Sequence, residues 1–274
     1  MDFLGALINY QFLQNAVFAA LLASVLCGIS GTFVFVNRIT FIAGGIAHAV
    51  LGGVGAAVYF GFSPFSGAVA ASIIFAFVLG IIKFKASQHE DTVIGALWAL
   101  GMSAGIIFIY LTPGYSVNLL SYLFGNILLV STDDIMVLAV LGFAVISVAA
   151  VLYRQFKSVS FDLEFSILRG VKGFVVYTMM LVMIALTVVV LMKIVGLILV
   201  IAFLSLPAAT AAVFTNRIGK IILLSSILSF MFSFSGLFVS YNFNLPTGAT
   251  ITAVAGIIYL LSIISGAYHE RFSK

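Results

Sequence analysis

Nine stretches of about twenty apolar residues follow one another along this chain, at about 14–36, 41–61, 65–82, 93–112, 134–153, 173–192, 194–214, 221–240 and 247–267. That series limits the fold more than any other feature. A run of about twenty apolar residues matches the hydrocarbon thickness of a bilayer as a helix, and a helix satisfies its own backbone hydrogen bonds in lipid. Outer-membrane strands are about half as long and alternate in polarity, which these runs do not. Of the 274 residues, 64% are hydrophobic and only 7% charged. A water-soluble domain carries roughly 25% charged residues, so this chain lacks the means to cover a surface facing water. The expected fold is all-α and polytopic, one transmembrane domain over residues 1–274. Residues 1–13 read as a short amphipathic helix at the interface, and the opening MDFLGALINYQ lacks the basic start and small-residue cleavage site of a removable signal.

The few charges orient the spans. With the N-terminus outside, alternation over nine spans puts Arg38, Lys83, Lys85, Arg154, Lys157, Arg169, Lys172, Arg217, Lys220, Arg271 and Lys274 inside, eleven of the twelve basic residues. Lys193 alone falls outside. Lysine and arginine gather on the cytoplasmic side, so the expected topology is N-out and C-in. The net charge of +4 is therefore read as membrane orientation and not as a nucleic-acid surface. The eight acids, Asp2, Glu90, Asp91, Asp133, Asp134, Asp162, Glu164 and Glu270, lie outside the apolar runs or at their ends. His89 and His269 sit at the inner rim. One cysteine, Cys27, excludes an internal disulfide and a cysteine-rich metal site.

That leaves His48 as the one readily titratable group deep in a span, in FIAGGIAHAVLGGVGAAVYFG (41–61). An ionisable residue inside the membrane is a functional candidate by default. At helical spacing Gly44, His48, Gly52 and Ala56 form one stripe, with Gly45, Ala49, Gly53 and Ala57 beside it. Such stripes let another helix approach closely, so His48 is expected to project into a tight seam or passage, including one formed between two copies of the chain. Two readings stand: a neutral imidazole bonded to a neighbour's carbonyl or hydroxyl, or a ligand to a cation in transit. Imidazole suits zinc and other late first-row metals. One histidine holds an ion weakly, and a conduit needs weak holding because the ion must leave.

The longest inner loop, YRQFKSVSFDLEFSILRGVKG (153–173), contains a short amphipathic helix between an N-cap, Asp162, and a stop, Gly170. Leu163, Glu164, Phe165, Leu168 and Arg169 lie between them, as a surface float or a docking element. No G-x-x-x-x-G-K-[ST] run occurs in the chain, so it has no phosphate-cradling loop of its own. Pro207, in LSLPAATAA (204–212), predicts a kink and a candidate gate. The outer segment 112–134 is only half polar and is expected to dip into the membrane as a short helix.

FIAGGIAHAVLGG (41–53), EDTVIGALWALGMSAGIIFI (90–109), SYLFGNILLVSTDD (121–134), FDLEFSILRGVKG (161–173), VGLILVIAFLSLPAATAAVF (195–214) and LPTGATITAVAG (245–256) resemble, in order, the blocks of zinc/manganese-type ABC permeases. The resemblance covers nearly the whole chain. It implies a homodimer in a prokaryotic cell membrane, two cytoplasmic ABC ATPase subunits and an extracytoplasmic metal-binding protein. It also implies that 161–170 is the coupling helix. Many members carry an aspartate one turn before the histidine, and here that position is Gly44. Without that carboxylate the site tilts toward zinc over manganese. No permanent cofactor is expected; the divalent metal is cargo.

The expected function is an ATP-driven importer's permease, with hydrolysis in a separate chain. The alternatives are an ABC permease for a metal chelate, such as a siderophore or cobalamin, and a proton-driven secondary transporter. An intramembrane protease is disfavoured: SFSGLF (233–238) lacks the first glycine of G-x-S-G, and neither H-E-x-x-H nor a pair of intramembrane acids occurs.

Overall fold

The structure is a computed structural model of the full chain and describes residues 3–85, 90–113 and 125–272. It is built from α1 (Phe3–Asn9), α2 (Gln11–Val36), α3 (Thr40–Tyr59), α4 (Pro64–Lys85), α5 (Glu90–Leu111), α6 (Thr132–Phe161), α7 (Leu163–Leu168), α8 (Gly173–Val195), α9 (Leu197–Phe214), α10 (Ile218–Phe243) and α11 (Thr247–Phe272). Among the described residues, nine helices are long and apolar enough to cross a membrane. They are the nine expected spans with shifted ends. The largest shift is in α6, which runs to Phe161, eight residues past the apolar run. Phe156 and Val159 stay buried on that added stretch, so packing carries the helix beyond the point where its composition turns polar. Asp2 and His89 lie outside the described residues.

The helices group into two compact units. One comprises Met1–Phe35, Leu120–Ala144 and Val190–Lys274; the other comprises Val36–Leu119 and Val145–Val189.

In the first unit, α2 approaches α9 and α10 through glycines. A side chain at Gly28 would meet Ser226 on α10, and one at Gly31 would meet the Leu204 carbonyl on α9. Between them the Cys27 thiol donates to the Phe203 carbonyl oxygen at 2.9 Å. α1 does not merely float at the interface: Phe3 is buried, with its ring against Phe234, Phe238 and Tyr241 of α10 at 5.8, 5.3 and 5.5 Å. Edge-to-face rings at such distances add to simple area burial. Most of the outer segment expected to dip into the membrane falls on 114–124, outside the described residues. The remainder holds a single 3-10 turn, Ile127–Leu129, capped by Asn126 Oδ1, which accepts from the Leu128 N–H at 3.0 Å. At the start of α6, Ser131 and Asp134 form a reciprocal capping box: the Asp134 N–H donates to Ser131 Oγ (3.1 Å) and the Ser131 N–H to Asp134 Oδ2 (3.2 Å). Lys193, near the end of α8, pairs with the same carboxylate. Alternation of the spans assigns both charges to the same end of the bundle, and there they meet.

In the second unit, α3 lies between α4 and α5. A Cβ at Gly52 would stand 2.8 Å from the Gly101 carbonyl oxygen, one at Gly45 would stand 2.7 Å from Ile94 Cγ2, and Gly55 faces Gly105 in the same way. On the opposite flank, Gly53 meets Gly67 and Ala71 of α4. In lipid there is no hydrophobic drive between helices, so this backbone-to-backbone approach is where van der Waals attraction is gained. α4 then packs on α8, through Gly80 against Thr178 and through Phe77 and Phe84 against the Phe174 ring at 6.2 and 5.6 Å.

Candidate functional site

His48 sits near the middle of α3, within the second unit. Its stripe neighbours Gly44 and Gly52, one turn to either side, contribute no side chain. The wall comes from α5 instead. The Trp98 ring lies 4.2 Å from the imidazole with only 6° between the planes, a stacked pair. Trp98 is fixed in turn: its indole N–H donates to Met102 Sδ at 3.0 Å, one turn along α5, and Phe41 lies 5.9 Å away on its flank. The imidazole is half-buried.

An imidazole serving as glue donates or accepts in its own plane, through a ring nitrogen. Among the described residues, His48 makes a contact through its face and no hydrogen bond through its edge. Both nitrogens lie on that edge. Among the described residues, no three His, Cys, Asp or Glu side chains come together, so one imidazole is what this region of the chain offers a cation.

Within the chain, the small-residue stripes of α3 bring helices together. Gly45 and Gly52 bring α3 against α5, Gly53 brings it against α4, and Gly44 is buried. These close approaches lie within one chain.

The inner-loop helix forms where expected. Asp162 Oδ1 accepts from the Phe165 N–H at 2.9 Å, capping α7, and Gly170 takes a left-handed φ of +87° just past its end. That conformation strains a residue with a Cβ, which is why glycine stops the helix there. Ser166 is the buried residue of α7; its hydroxyl donates to the Asp162 carbonyl (2.7 Å) and lies 2.7 Å from Ser158 Oγ on α6. The other face turns outward. Phe161, Phe165 and Leu168 are exposed, Leu168 by 85%, and the Arg169 guanidinium lies over the Phe165 ring at 5.0 Å. Leu163 is half-buried and Glu164 is exposed.

Pro207 lies inside α9, which continues on both sides of it from Leu197 to Phe214. Proline has no N–H, so the carbonyl four residues earlier loses its helical partner. That carbonyl is Phe203, the one Cys27 takes from α2.

Sequence reasoning missed Trp98 and Cys27 as partners. Trp98 is the only tryptophan in the chain and stands within a block singled out for other reasons.

Among the described residues, nine helices long and apolar enough to cross a membrane accompany one short amphipathic helix, α7. The ABC 3 transport family matches residues 9–266, and the chain belongs to that family. An uncharacterized membrane protein of Synechocystis sp. is 43% identical over 93% of this chain and 91% of its own length. The manganese transport system membrane protein MntC of Listeria innocua is 33% identical over 96% of this chain and 94% of its own. Among solved structures, PsaBC from Streptococcus pneumoniae in complex with Fab superposes with a TM-score of 0.85. Its chain is 31% identical, and the match covers 95% of this chain and 94% of that one.

Proposed function

We propose that this chain is the membrane-spanning permease of an ATP-driven importer of divalent transition-metal ions, acting as a homodimer in a prokaryotic cell membrane with its N-terminus outside and C-terminus inside. The cargo passes His48, whose ring edge is the transient contact. The observation that supports this most directly is the stacked imidazole in mid-span: a ring held by its face, with neither nitrogen bonded to a described residue, suits an ion that must bind and then leave. The α7 segment is the docking element for a cytoplasmic ATPase. Its apolar residues Phe165 and Leu168 are exposed, as is Phe161 at the end of α6, while Ser166 anchors it to α6. An extracytoplasmic metal-binding protein delivers the ion.

The donor chemistry favours zinc over manganese. One imidazole with glycine at the preceding turn offers no hard carboxylate oxygen, and manganese is the ion that depends more on such oxygens. The name of the Listeria relative makes manganese the competing cargo. A metal chelate is the weaker reading, since a bulky cargo needs a wide passage and α3 is closed against α4 and α5 by backbone contacts.

The test is uptake of radioactive zinc and manganese in cells carrying His48→Ala in an otherwise intact system. Uptake should fall severely while the protein reaches the membrane in normal amount. Normal uptake in that variant removes the ligand role. Loss of uptake on ATP depletion, with survival after collapse of the proton gradient, separates an ATP-driven system from a secondary transporter.

A further inference from the structure

We propose that Trp98 is the positioning residue for His48: it sets the plane of the imidazole and favours the metal-loaded ring over the empty one. This rests on the reading of His48 as the cargo contact.

A histidine on a glycine-lined stretch has little to hold it. The residues one turn away on α3, Gly44 and Gly52, offer no wall, and the rotation of the ring about its Cβ–Cγ bond is soft. The restraint comes from the neighbouring helix. The indole lies parallel to the imidazole at 4.2 Å and so fixes the plane in which both nitrogens lie. The indole is itself held on two sides, by its N–H bond to Met102 Sδ at 3.0 Å and by Phe41 at 5.9 Å. Backbone contact between α3 and α5, Gly52 on Gly101 and Gly55 on Gly105, fixes the distance between the two helices that carry the pair. The chain of restraint therefore runs from the glycine seam to Trp98 and from Trp98 to His48.

Stacking also distinguishes loaded from empty. An imidazole that has taken a divalent cation carries positive charge, and an aromatic face within about 6 Å attracts positive charge. Neutral imidazole gains less. Trp98 thus strengthens ion capture without supplying a ligand, and leaves the ring edge open for release. Because the effect acts on charge and not on donor softness, it applies equally to zinc and manganese.

The chain contains one tryptophan, so the pair carries its own reporter. The full chain, reconstituted in lipid nanodiscs, is titrated with ZnCl2 and separately with MnCl2 to millimolar concentration while indole emission is recorded. We expect a saturable change in emission that is absent in H48A. In cells with the rest of the system intact, W98A should raise the half-saturating metal concentration for uptake by roughly 10–100-fold, the range for removing a group that orients a metal ligand. W98F, which keeps a ring face but no N–H, should restore most of that loss, and M102L should show a smaller loss than W98A. W98A that fails to reach the membrane is replaced by W98L, which fills the space without a ring face.

An emission change that persists in H48A would overturn the proposal, since the indole would then be sensing metal elsewhere. Loss of uptake in H48A together with normal half-saturation in W98A would also overturn it, while leaving His48 as the contact. Normal uptake in H48A would remove the underlying reading instead. Equal damage from W98F and W98A, in protein that reaches the membrane, would mark Trp98 as a packing residue only.

Discussion

Cys27 is the residue whose partner explains more than its own identity. Its thiol meets the Phe203 carbonyl, the oxygen that Pro207 leaves without an amide donor. A buried carbonyl with no donor costs about 1–3 kcal/mol. Cys27→Ala is therefore expected to destabilise the chain by about that amount, measured as a lower melting temperature in detergent. Cys27→Ser, which keeps an O–H donor, should lose less. Sequence reading used Cys27 only to exclude disulfides, and the reason is distance along the chain. Phe203 lies 176 residues from Cys27, and no periodicity links them. The same holds for Trp98 and His48: the histidine was legible because its charge type is rare in lipid, whereas the indole over it was one more apolar residue on another span. Asp162 and Gly170 were legible because a cap and a stop act on their own neighbours, within four residues.

The helices were legible as spans because lipid imposes one length and one composition on all of them. Their mutual arrangement was not. The stripes on α3 announced close approach but not what would approach, and the answer is α4 and α5 of the same chain. Gly52→Val is expected to abolish folded protein, because the first added carbon already crowds the Gly101 carbonyl oxygen. Gly95→Ala, on α5, meets open space and should be tolerated. The two variants compared by fluorescence-detected size exclusion would show whether the seam or the helix itself sets stability. On α10, Ser225, Ser229 and Ser233 repeat every turn on the buried face. Ser229 lies beside the Cys27 thiol, while the hydroxyls of Ser225 and Ser233 have no partner among the described residues. Ser233→Ala removes a desolvated hydroxyl and adds helix propensity, and should raise the melting temperature by an amount worth about 1 kcal/mol. For α7, removing the cap by Asp162→Ala should cost about 1 kcal/mol locally, seen as faster amide exchange at Phe165.

At the scale of the whole molecule, α7 differs from the nine described helices long and apolar enough to cross a membrane: it has six residues and charges on both sides. It lies in an inner loop by charge count, yet it carries Phe165 and Leu168 outward, with Ser166 as its buried anchor. Exposed apolar groups on a charged inner loop fit the docking role proposed for it. Leu168→Gln is expected to leave the melting temperature of the isolated chain unchanged and to weaken co-purification of the ATPase. A pull-down of the two chains from membranes checks this, and undiminished recovery would place docking elsewhere. On the docking proposed above, a copy synthesised without the ATPase would leave that greasy knob uncovered, free to snag chaperones or its own siblings. Producing the two proteins in step would then keep it covered, in the cell as in the expression flask.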